Sequence, residues 1–248
     1  MNLWLPETIL SDEQSVARRP GFEQRSNGDW IGRRVRRVVS HKLSFVSSDV
    51  EVAYSARAAD YVEQLGSVAS LHPSDRALIR SWAAQVEGPI LDAGCGPGHW
   101  TAYLVEHGND VRGVDQVSEF IDHARRTYPH VSFEQGSFDT LHDSSGSVGG
   151  ILPWYSLIHH EPSAVRAALE EFARVIRFDG SLLLGFFIGP AVEPFDHAVV
   201  TAYRWSPEAL SKELRAAGFD IIETHTRVGS SPKPRPHGAI VAQLALTN

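Results

Sequence analysis

One stretch of the sequence decides the fold, and it runs from Ile90 to Trp100 as ILDAGCGPGHW. A short apolar run enters a turn with glycine at every second position, at Gly94, Gly96 and Gly98, and a helical pattern follows. Glycine allows positive φ and lets a ligand lie against the backbone, because no Cβ stands in the way. Ligands of open α/β sheets bind at the carboxyl ends of strands. The stretch therefore predicts a strand, a ligand-binding turn and a helix.

Helix and strand patterns alternate on both sides of this turn, from about Val50 onward. Apolar residues at three-to-four spacing predict helices, and short apolar runs bounded by turn residues predict strands. The predicted helices are Val52–Leu65, Ser74–Val86, Gly98–Glu106, Ser118–Thr127, Ser163–Ile176 and Ser206–Ala217. The predicted strands are Pro89–Ala93, Asp110–Val114, Val131–Gln135, Val148–Trp154, Ser181–Ile188, Phe219–Thr226 and Gly238–Leu246. Such alternation indicates an α/β fold with a doubly wound, mostly parallel sheet.

The last two predicted strands are connected differently from the others. Only the Pro-rich loop Ser231–Pro236 joins them, with no helical pattern in it. A parallel return needs a long crossover, so the last strand is predicted to be antiparallel.

Length and composition favour one domain with an extension. The chain has 248 residues, of which 42% are hydrophobic and 21% charged, which is ordinary for a globular domain. Residues 1–49 show no periodicity and are predicted to be a disordered extension, and residues 50–248 are predicted to be a single domain. Met1 is the only methionine, so an over-long reading frame whose true start is Val50 or Val52 is an alternative. Intact-mass analysis of the native protein tests this alternative.

Charge and cysteine content narrow the classes of partner. The net charge is −7, and the excess of acidic residues lies after residue 50, so no nucleic-acid partner is expected. Cys95 is the only cysteine, which excludes an internal disulfide and a multi-cysteine metal site, and no metal is expected. No apolar run reaches the roughly 18 residues of a membrane span, and no signal-peptide pattern is present. A cytoplasmic protein without membrane contact is expected.

The glycine turn does not fit a dinucleotide or a nucleoside triphosphate. The dinucleotide pattern G-x-G-x-x-G, counted from Gly94, needs glycine where His99 stands, and no P-loop lysine is present. Asp92 lies just before the first glycine, where it suits a cationic group. Asp115 ends the next strand, roughly 20 residues after Gly96, where a carboxylate can accept hydrogen bonds from both hydroxyls of a ribose.

These motifs resemble those of the class I methyltransferases that depend on S-adenosylmethionine (SAM). The matching runs are ILDAGCGPGHW, VRGVDQ, FEQGSF and ILPWYSLIHH, and the resemblance extends from about Val50 to the C-terminus. It implies SAM as the cofactor and a three-layer α/β/α fold. The implied sheet has seven strands in the order 3-2-1-4-5-7-6, with strand 7 antiparallel.

The resemblance also implies which residues bind SAM. Asp92 and the backbone of Gly94–Gly98 would hold the methionine moiety, and Asp115 would hold the ribose hydroxyls. The family often has Asp after the glycine that follows strand three, where this chain has Ser137, an uncharged and weaker partner for adenine. The full set of expected SAM-binding residues is Asp92, Gly94, Cys95, Gly96, Gly98, Trp100, Asp115, Gln116, Ser137, Phe138, Trp154 and Tyr54.

The segment after strand four, Pro153–Pro162, is expected to face the methyl group. It lacks the Asp/Asn-Pro-Pro-aromatic run of amino-methylating nucleic-acid enzymes and the Pro-Cys of cytosine C5 enzymes, so a small-molecule acceptor is predicted. His159 and His160 are candidate catalytic bases, because imidazole titrates near neutral pH, and Tyr155 is a further catalytic candidate. The alternative is that the histidines only stabilise the following helix. The long segment Ile188–Trp205 is expected to help close the acceptor pocket.

Three interpretations of function stay open at this level. The leading one is transfer of the methyl group of SAM to an O, N, S or C atom of a small molecule. A protein that binds SAM or its demethylated product without transfer, as a sensor or partner subunit, would carry the same cofactor residues. An NAD-dependent oxidoreductase is disfavoured by His99. The chain is expected to act as a monomer or homodimer.

Overall fold

The structure is a computed structural model that describes residues 50–58, 72–228 and 236–245. Residues 50–55 are helical, in agreement with the start of the first predicted helix. The predictions for residues 1–49, for residues 59–65 of that helix and for most of the Pro-rich loop lie outside the described residues.

Strands and helices alternate through the described residues as the sequence predicts. After the helical residues 50–55, the helices are α1 (Pro73–Ala83), α2 (His99–Glu106), α3 (Ser118–Thr127), α4 (Pro162–Val175) and α5 (Pro207–Ala216). The strands are β1 (Ile90–Ala93), β2 (Val111–Asp115), β3 (Ser132–Gln135), β4 (Val148–Leu152), β5 (Ile176–Ile188), β6 (Glu193–Phe195), β7 (Ala202–Trp205), β8 (Phe219–Arg227) and β9 (His237–Leu244). A short 3-10 helix, Leu157–His159, follows β4.

The sheet has the predicted topology. β1 pairs in parallel with β2 and with β4, and β3 and β5 extend the sheet on either side. β9 lies antiparallel between β5 and β8. Because β8 and β9 are the sixth and seventh predicted strands, the seven predicted strands have the order 3-2-1-4-5-7-6, which confirms the predicted fold, although the described residues form nine strands in all. The order brings the carboxyl ends of β1, β2 and β4 side by side.

Two short strands that the sequence did not predict follow β5. β6 and β7 form an antiparallel pair, and β7 also pairs in parallel with the end of β5, where Phe187 lies opposite Arg204. These strands lie within the segment Ile188–Trp205, whose role in closing the acceptor pocket stays a prediction. The two strands have three and four residues, which is too short to show an alternating pattern of apolar and polar residues.

The start of β5 also differs from the prediction. The strand begins at Ile176, directly after α4, and not at Ser181. Residues 177–180 bulge out of the ladder, because Val148 pairs with Ile176 while Gly150 pairs with Ser181. The sequence of this bulge, Arg-Phe-Asp-Gly, has the polar and glycine content of a loop, so the sequence pattern did not indicate a strand here.

The N-cap of α1 is a second boundary difference. The helix begins at Pro73, one residue before the predicted start at Ser74, and His72 is its N-cap. The Nδ1 atom of His72 accepts a hydrogen bond from the backbone N–H of Ser74 at 3.2 Å. An unprotonated imidazole nitrogen is an acceptor, so it can replace the hydroxyl of a usual cap.

β5 is buried on both faces, as its apolar sequence predicts. Leu182 and Leu184 pack with α4 and α5, whereas Leu183 packs with α1 and α2 on the other face. Side chains alternate along a strand, so neighbouring residues reach opposite faces of the sheet. α3 shares a cluster with α2. The helices therefore form a layer on each face of the sheet, and the predicted α/β/α arrangement is confirmed.

Candidate functional site

The glycine turn has the backbone conformation that its sequence predicts. Gly94, Gly96 and Gly98 have φ values of 77°, 54° and 83°. A Cβ on Gly94 would lie 2.4 Å from the Cβ of Ser156, and one on Gly98 would lie 2.6 Å from the Phe133 ring. A Cβ on Gly96 would meet nothing within 4 Å. The outer glycines thus allow close packing, while Gly96 faces an open space that a ligand can fill.

Asp115, the last residue of β2, is fixed beside this turn. Its Oδ2 accepts the N–H of Gly96 at 2.9 Å, and its Oδ1 accepts the N–H of Val117 at 2.9 Å. The carboxyl group is buried, and burial raises its pKa to about 6, although these hydrogen bonds act in the opposite direction. Each oxygen has a further lone pair, so the carboxylate can still accept ligand hydroxyls.

Asp92 in β1 is a second buried carboxyl group at the turn. It is 2% exposed, and it accepts a hydrogen bond of 2.6 Å from the hydroxyl of Thr101 on α2. Burial raises its pKa to about 7, and the nearby charge of Asp115 adds to the effect. A buried carboxylate with no neighbouring cation is costly. This carboxylate therefore favours a ligand that brings a positive charge.

Two polar atoms next to the turn are buried without a hydrogen-bond partner among the described residues. They are Nδ1 of His99, the first residue of α2, and Oγ of Ser156, whose Cβ faces Gly94. Burial lowers the pKa of His99 to about 4, so its ring is neutral at pH 7. Both residues were missed as site residues from the sequence, where His99 served only to exclude a dinucleotide. The unpartnered atoms, the open side of Gly96 and the two carboxyl groups fit a ligand that carries a ribose and an amino acid.

The other expected cofactor residues lie around the turn in different roles. Cys95 is buried against α3, and its Sγ would lie 2.7 Å from a Cβ on Gly113, so the side chain packs beneath the turn. Trp100 is buried against α1, with its ring 6.3 Å from the ring of Trp154. Contact of Cys95 and of these two rings with the cofactor stays a prediction.

The residues after β2 and β3 occupy the expected adenine side. The Oγ of Ser137 accepts the N–H of Asp139 at 3.2 Å, so this hydroxyl has a local role in the turn. Phe138 stacks on His160 with ring centroids 5.5 Å apart, and its Cε1 would lie 3.2 Å from a Cβ on Gly94. Gln116 follows Asp115 directly, and its carbonyl accepts a hydrogen bond from Gln135. Contact of these side chains with adenine stays a prediction.

Residues 50–58, which we call the bridging segment, contact both α3, which follows β2, and the 3-10 helix that follows β4. The Tyr54 ring lies edge-on to Phe120 of α3 at 5.9 Å, and its hydroxyl reaches Nε2 of His159 at 2.8 Å. Ser55 donates a hydrogen bond to Glu119 at 2.8 Å. Because β1 lies between β2 and β4, the bridging segment crosses above the glycine turn.

His159 is held in one tautomer. Its Nδ1 lies 2.9 Å from the carbonyl oxygen of Thr201, which can only accept, so Nδ1 carries the hydrogen. Nε2 is then the acceptor for the hydroxyl of Tyr54. Burial lowers the pKa of His159 to about 4. The ring is therefore neutral near pH 7, with both nitrogens engaged.

The other two catalytic candidates lie in separate settings. His160 Nε2 is 2.8 Å from Oδ1 of Asp139, on the side of α4. Tyr155 has φ of 60°, and its hydroxyl lies 2.7 Å from Nδ1 of His237. Burial raises the pKa of Tyr155 well above its usual range, so the phenol keeps its proton. Of the three candidates, His159 contacts the bridging segment, and Tyr155 lies three residues beyond the end of the buried β4 strand.

Two further properties concern partners. Within the described ranges, no group of three or more His, Cys, Asp and Glu side chains is arranged to hold a metal ion. The helices in those ranges are all too short or too polar to cross a membrane.

Comparisons with known proteins point to a methyltransferase domain. Residues 90–180 match the family model described as a methyltransferase domain. The chain is 33% identical over 127 residues to an S-adenosyl-L-methionine-dependent Diels-Alderase of Talaromyces variabilis, covering 45% of this chain and 43% of that protein. It is 30% identical over 112 residues to an uncharacterised methyltransferase of Bacillus subtilis (strain 168), covering 43% of this chain and 44% of that protein.

A solved structure covers more of the chain. The fold resembles that of the 1,6-didemethyltoxoflavin-N1-methyltransferase of Burkholderia thailandensis, solved with 1,6-didemethyltoxoflavin and S-adenosylhomocysteine, with a TM-score of 0.66 and 22% identity. This match covers 86% of this chain and 93% of that one. The chain thus shares a fold over most of its length, whereas it spans less than half the length of the two curated relatives.

Proposed function

We propose that the chain is a class I SAM-dependent methyltransferase that transfers the methyl group of SAM to a small-molecule acceptor. The match of residues 90–180 to a methyltransferase-domain model and the shared fold support this proposal. One observation carries the proposal: the glycine turn with an open side at Gly96 lies between the buried carboxyl groups of Asp92 and Asp115. A cytoplasmic setting and a monomeric or homodimeric state stay predictions.

In this proposal, different residues at the turn bind different parts of SAM. Asp115 accepts hydrogen bonds from the ribose hydroxyls, because its carboxylate is already oriented by Gly96 and Val117. Asp92 receives the positively charged amino group of the methionine moiety, and His99 and Ser156 offer hydrogen bonds to its carboxylate. When bound, SAM supplies a methyl group on a positively charged sulfur.

The acceptor side has to position a nucleophile and exclude water, since methyl transfer is a direct displacement. The bridging segment provides the cover. Placing a proton on a group with a pKa of about 4 costs about 4 kcal/mol at pH 7, so His159 is a poor base there. Its fixed tautomer instead suits it to orient the hydroxyl of Tyr54. We assign His159 this positioning role.

Turnover measurements test the proposal. Purified protein with SAM and a pool of small metabolites is expected to form S-adenosylhomocysteine, and calorimetry is expected to show binding of SAM but not of NAD. If His159 only positions Tyr54, the His159→Gln variant turns over more slowly than the wild type but keeps the shape of its pH profile. Binding of NAD in place of SAM would contradict the proposed function.

A second candidate function is SAM binding without methyl transfer. The similarity to the Talaromyces variabilis protein supports this candidate, since the name of that protein, a SAM-dependent Diels-Alderase, describes a reaction other than methyl transfer. SAM binding with no formation of S-adenosylhomocysteine from any pool of metabolites would support this candidate.

The Asp92→Asn variant is expected to be more stable than the wild type without ligand at pH 8, by about 2 kcal/mol. The folded-state pKa of about 7 lies above the unfolded value of 3.8, so ionisation destabilises the fold as the pH rises from about 4 to 7. The amide avoids this cost and still accepts the hydrogen bond of Thr101. The gain in the free energy of unfolding should be smaller at pH 5. The affinity of the variant for SAM should be lower than that of the wild type.

Thermal unfolding at pH 5 and pH 8 checks this expectation. Asp122→Asn on the exposed side of α3 is the matched control and should leave the unfolding temperature unchanged at both pH values. An Asp92→Asn protein that unfolds at a lower temperature than the wild type at pH 8 would show that the buried carboxylate is stabilising.

A further inference from the structure

A cavity of about 230 Å³ lies between the start of α1 and the adjoining ends of β8 and β9. We call it the strand-end cavity. Its walls include Asp75 and Leu78 of α1, Trp154 and Tyr155 after β4, and Arg227 at the end of β8. The first residues of antiparallel β9 pair with the end of β5. The cavity is therefore at the carboxyl ends of the parallel strands, as is the glycine turn.

The strand-end cavity and the glycine turn share a wall. Trp154 and Tyr155 line the cavity, and the next residue, Ser156, faces Gly94 in the turn. The Trp154 ring is also edge-on to Trp100, with centroids 6.3 Å apart. A molecule in the cavity would therefore border the same chain segment that borders the methyl donor.

Arg227 offers the cavity a hydrogen-bond donor. Its Nη2 bonds to the Asp75 carboxylate at 2.6 Å, and this ion pair balances the charge. Its Nε is buried and has no hydrogen-bond partner among the residues that the structure describes. Leaving a buried donor unsatisfied is unfavourable. An oxygen atom of a ligand can satisfy it, whether the oxygen is neutral or charged.

The aromatic walls of the cavity are held in place. The Trp154 ring covers the backbone of Gly185, where a Cβ would lie only 2.9 Å from the ring. The Tyr155 hydroxyl lies 2.7 Å from Nδ1 of the buried His237. Rigid, flat walls of this kind favour a planar ring, which stacks or packs edge-on against them.

We infer that the strand-end cavity binds the methyl acceptor, and that the acceptor is a planar aromatic or heteroaromatic molecule whose carbonyl or carboxylate oxygen accepts a hydrogen bond from Arg227. This inference rests on the proposed function for the acceptor's role, whereas ring binding in the cavity is measurable by itself.

The test is an NMR titration of isotope-labelled protein saturated with S-adenosylhomocysteine. Benzoate and benzamide are the probes, and cyclohexanecarboxylate is the non-planar control. Both aromatic probes are expected to shift the indole N–H resonance of Trp154, and the control is not. The metabolite that supports turnover is expected to displace benzoate.

Two variants locate the probe. Arg227→Lys keeps a cation for Asp75 but lacks the Nε donor, so benzoate should bind roughly tenfold more weakly. Thr226→Trp fills the cavity and should abolish the shift. Thr224→Trp is its matched control, because Thr224 is equally exposed on β8 but does not line the cavity.

The outcomes separate the two proposals. If S-adenosylhomocysteine binds but the aromatic probes leave Trp154 unshifted, or shift it equally in Thr226→Trp, the inference is overturned and the proposed function stands. If S-adenosylhomocysteine and SAM do not bind the wild type, the proposed function fails, and the acceptor role fails with it.

Discussion

Asp115→Ala is expected to lower the affinity for SAM by roughly ten- to a hundredfold. The carboxylate is the group expected to accept the ribose hydroxyls, and charge-assisted hydrogen bonds are among the strongest that a ligand makes. The same carboxylate accepts the N–H groups of Gly96 and Val117. Its removal therefore also loosens the turn that faces the donor.

Calorimetry with SAM measures this loss, and circular dichroism confirms that the variant is folded. Asp110→Ala is the matched control, because this exposed acidic residue precedes the opposite end of β2 and should leave the affinity unchanged. A folded Asp115→Ala protein with wild-type affinity would show that the donor site is wrongly assigned.

The second large effect is on folding, and it distinguishes two glycines of one turn. Gly98→Ala should lower the free energy of unfolding by about 2–4 kcal/mol, because the new Cβ would lie 2.6 Å from the Phe133 ring at a φ of 83°. Gly96→Ala should cost only about 1–2 kcal/mol, since its Cβ meets nothing within 4 Å. That Cβ enters the open space, however, so SAM binding should be lost.

The two glycine variants are compared by denaturant unfolding and by calorimetry with SAM. The expected pattern is a stable Gly96→Ala protein that does not bind and a destabilised Gly98→Ala protein. Wild-type affinity in Gly96→Ala would mean that the ligand does not occupy the open side of the turn.

The sheet and the cofactor turn could be predicted because their signals are local. Alternating glycines after Ile90 and an acidic residue at the end of the next strand define the turn, and the apolar residues of β5 identify a strand buried on both faces. The missing helix between the last two strands was enough to predict that β9 is antiparallel.

Features with a weak local signal, and features that depend on contacts between distant segments, could not be predicted. Strands β6 and β7 are too short to show a period, and the cap of α1 by His72 uses a residue that rarely serves as an N-cap. The unpartnered Nδ1 of His99 becomes visible only when the packing around it is known. The tautomer of His159 likewise depends on Thr201, which lies 42 residues further along the chain.

The bridging segment has a consequence for the kinetic order of the reaction. It is tied to one side of the cleft by Ser55 and Glu119 and to the other by Tyr54 and His159. A nucleoside bound beneath it would leave more easily once one of these ties has broken. We therefore expect exchange of the spent donor to be slower than exchange of the acceptor through the strand-end cavity, so that several acceptors could sample the enzyme during the residence of one donor.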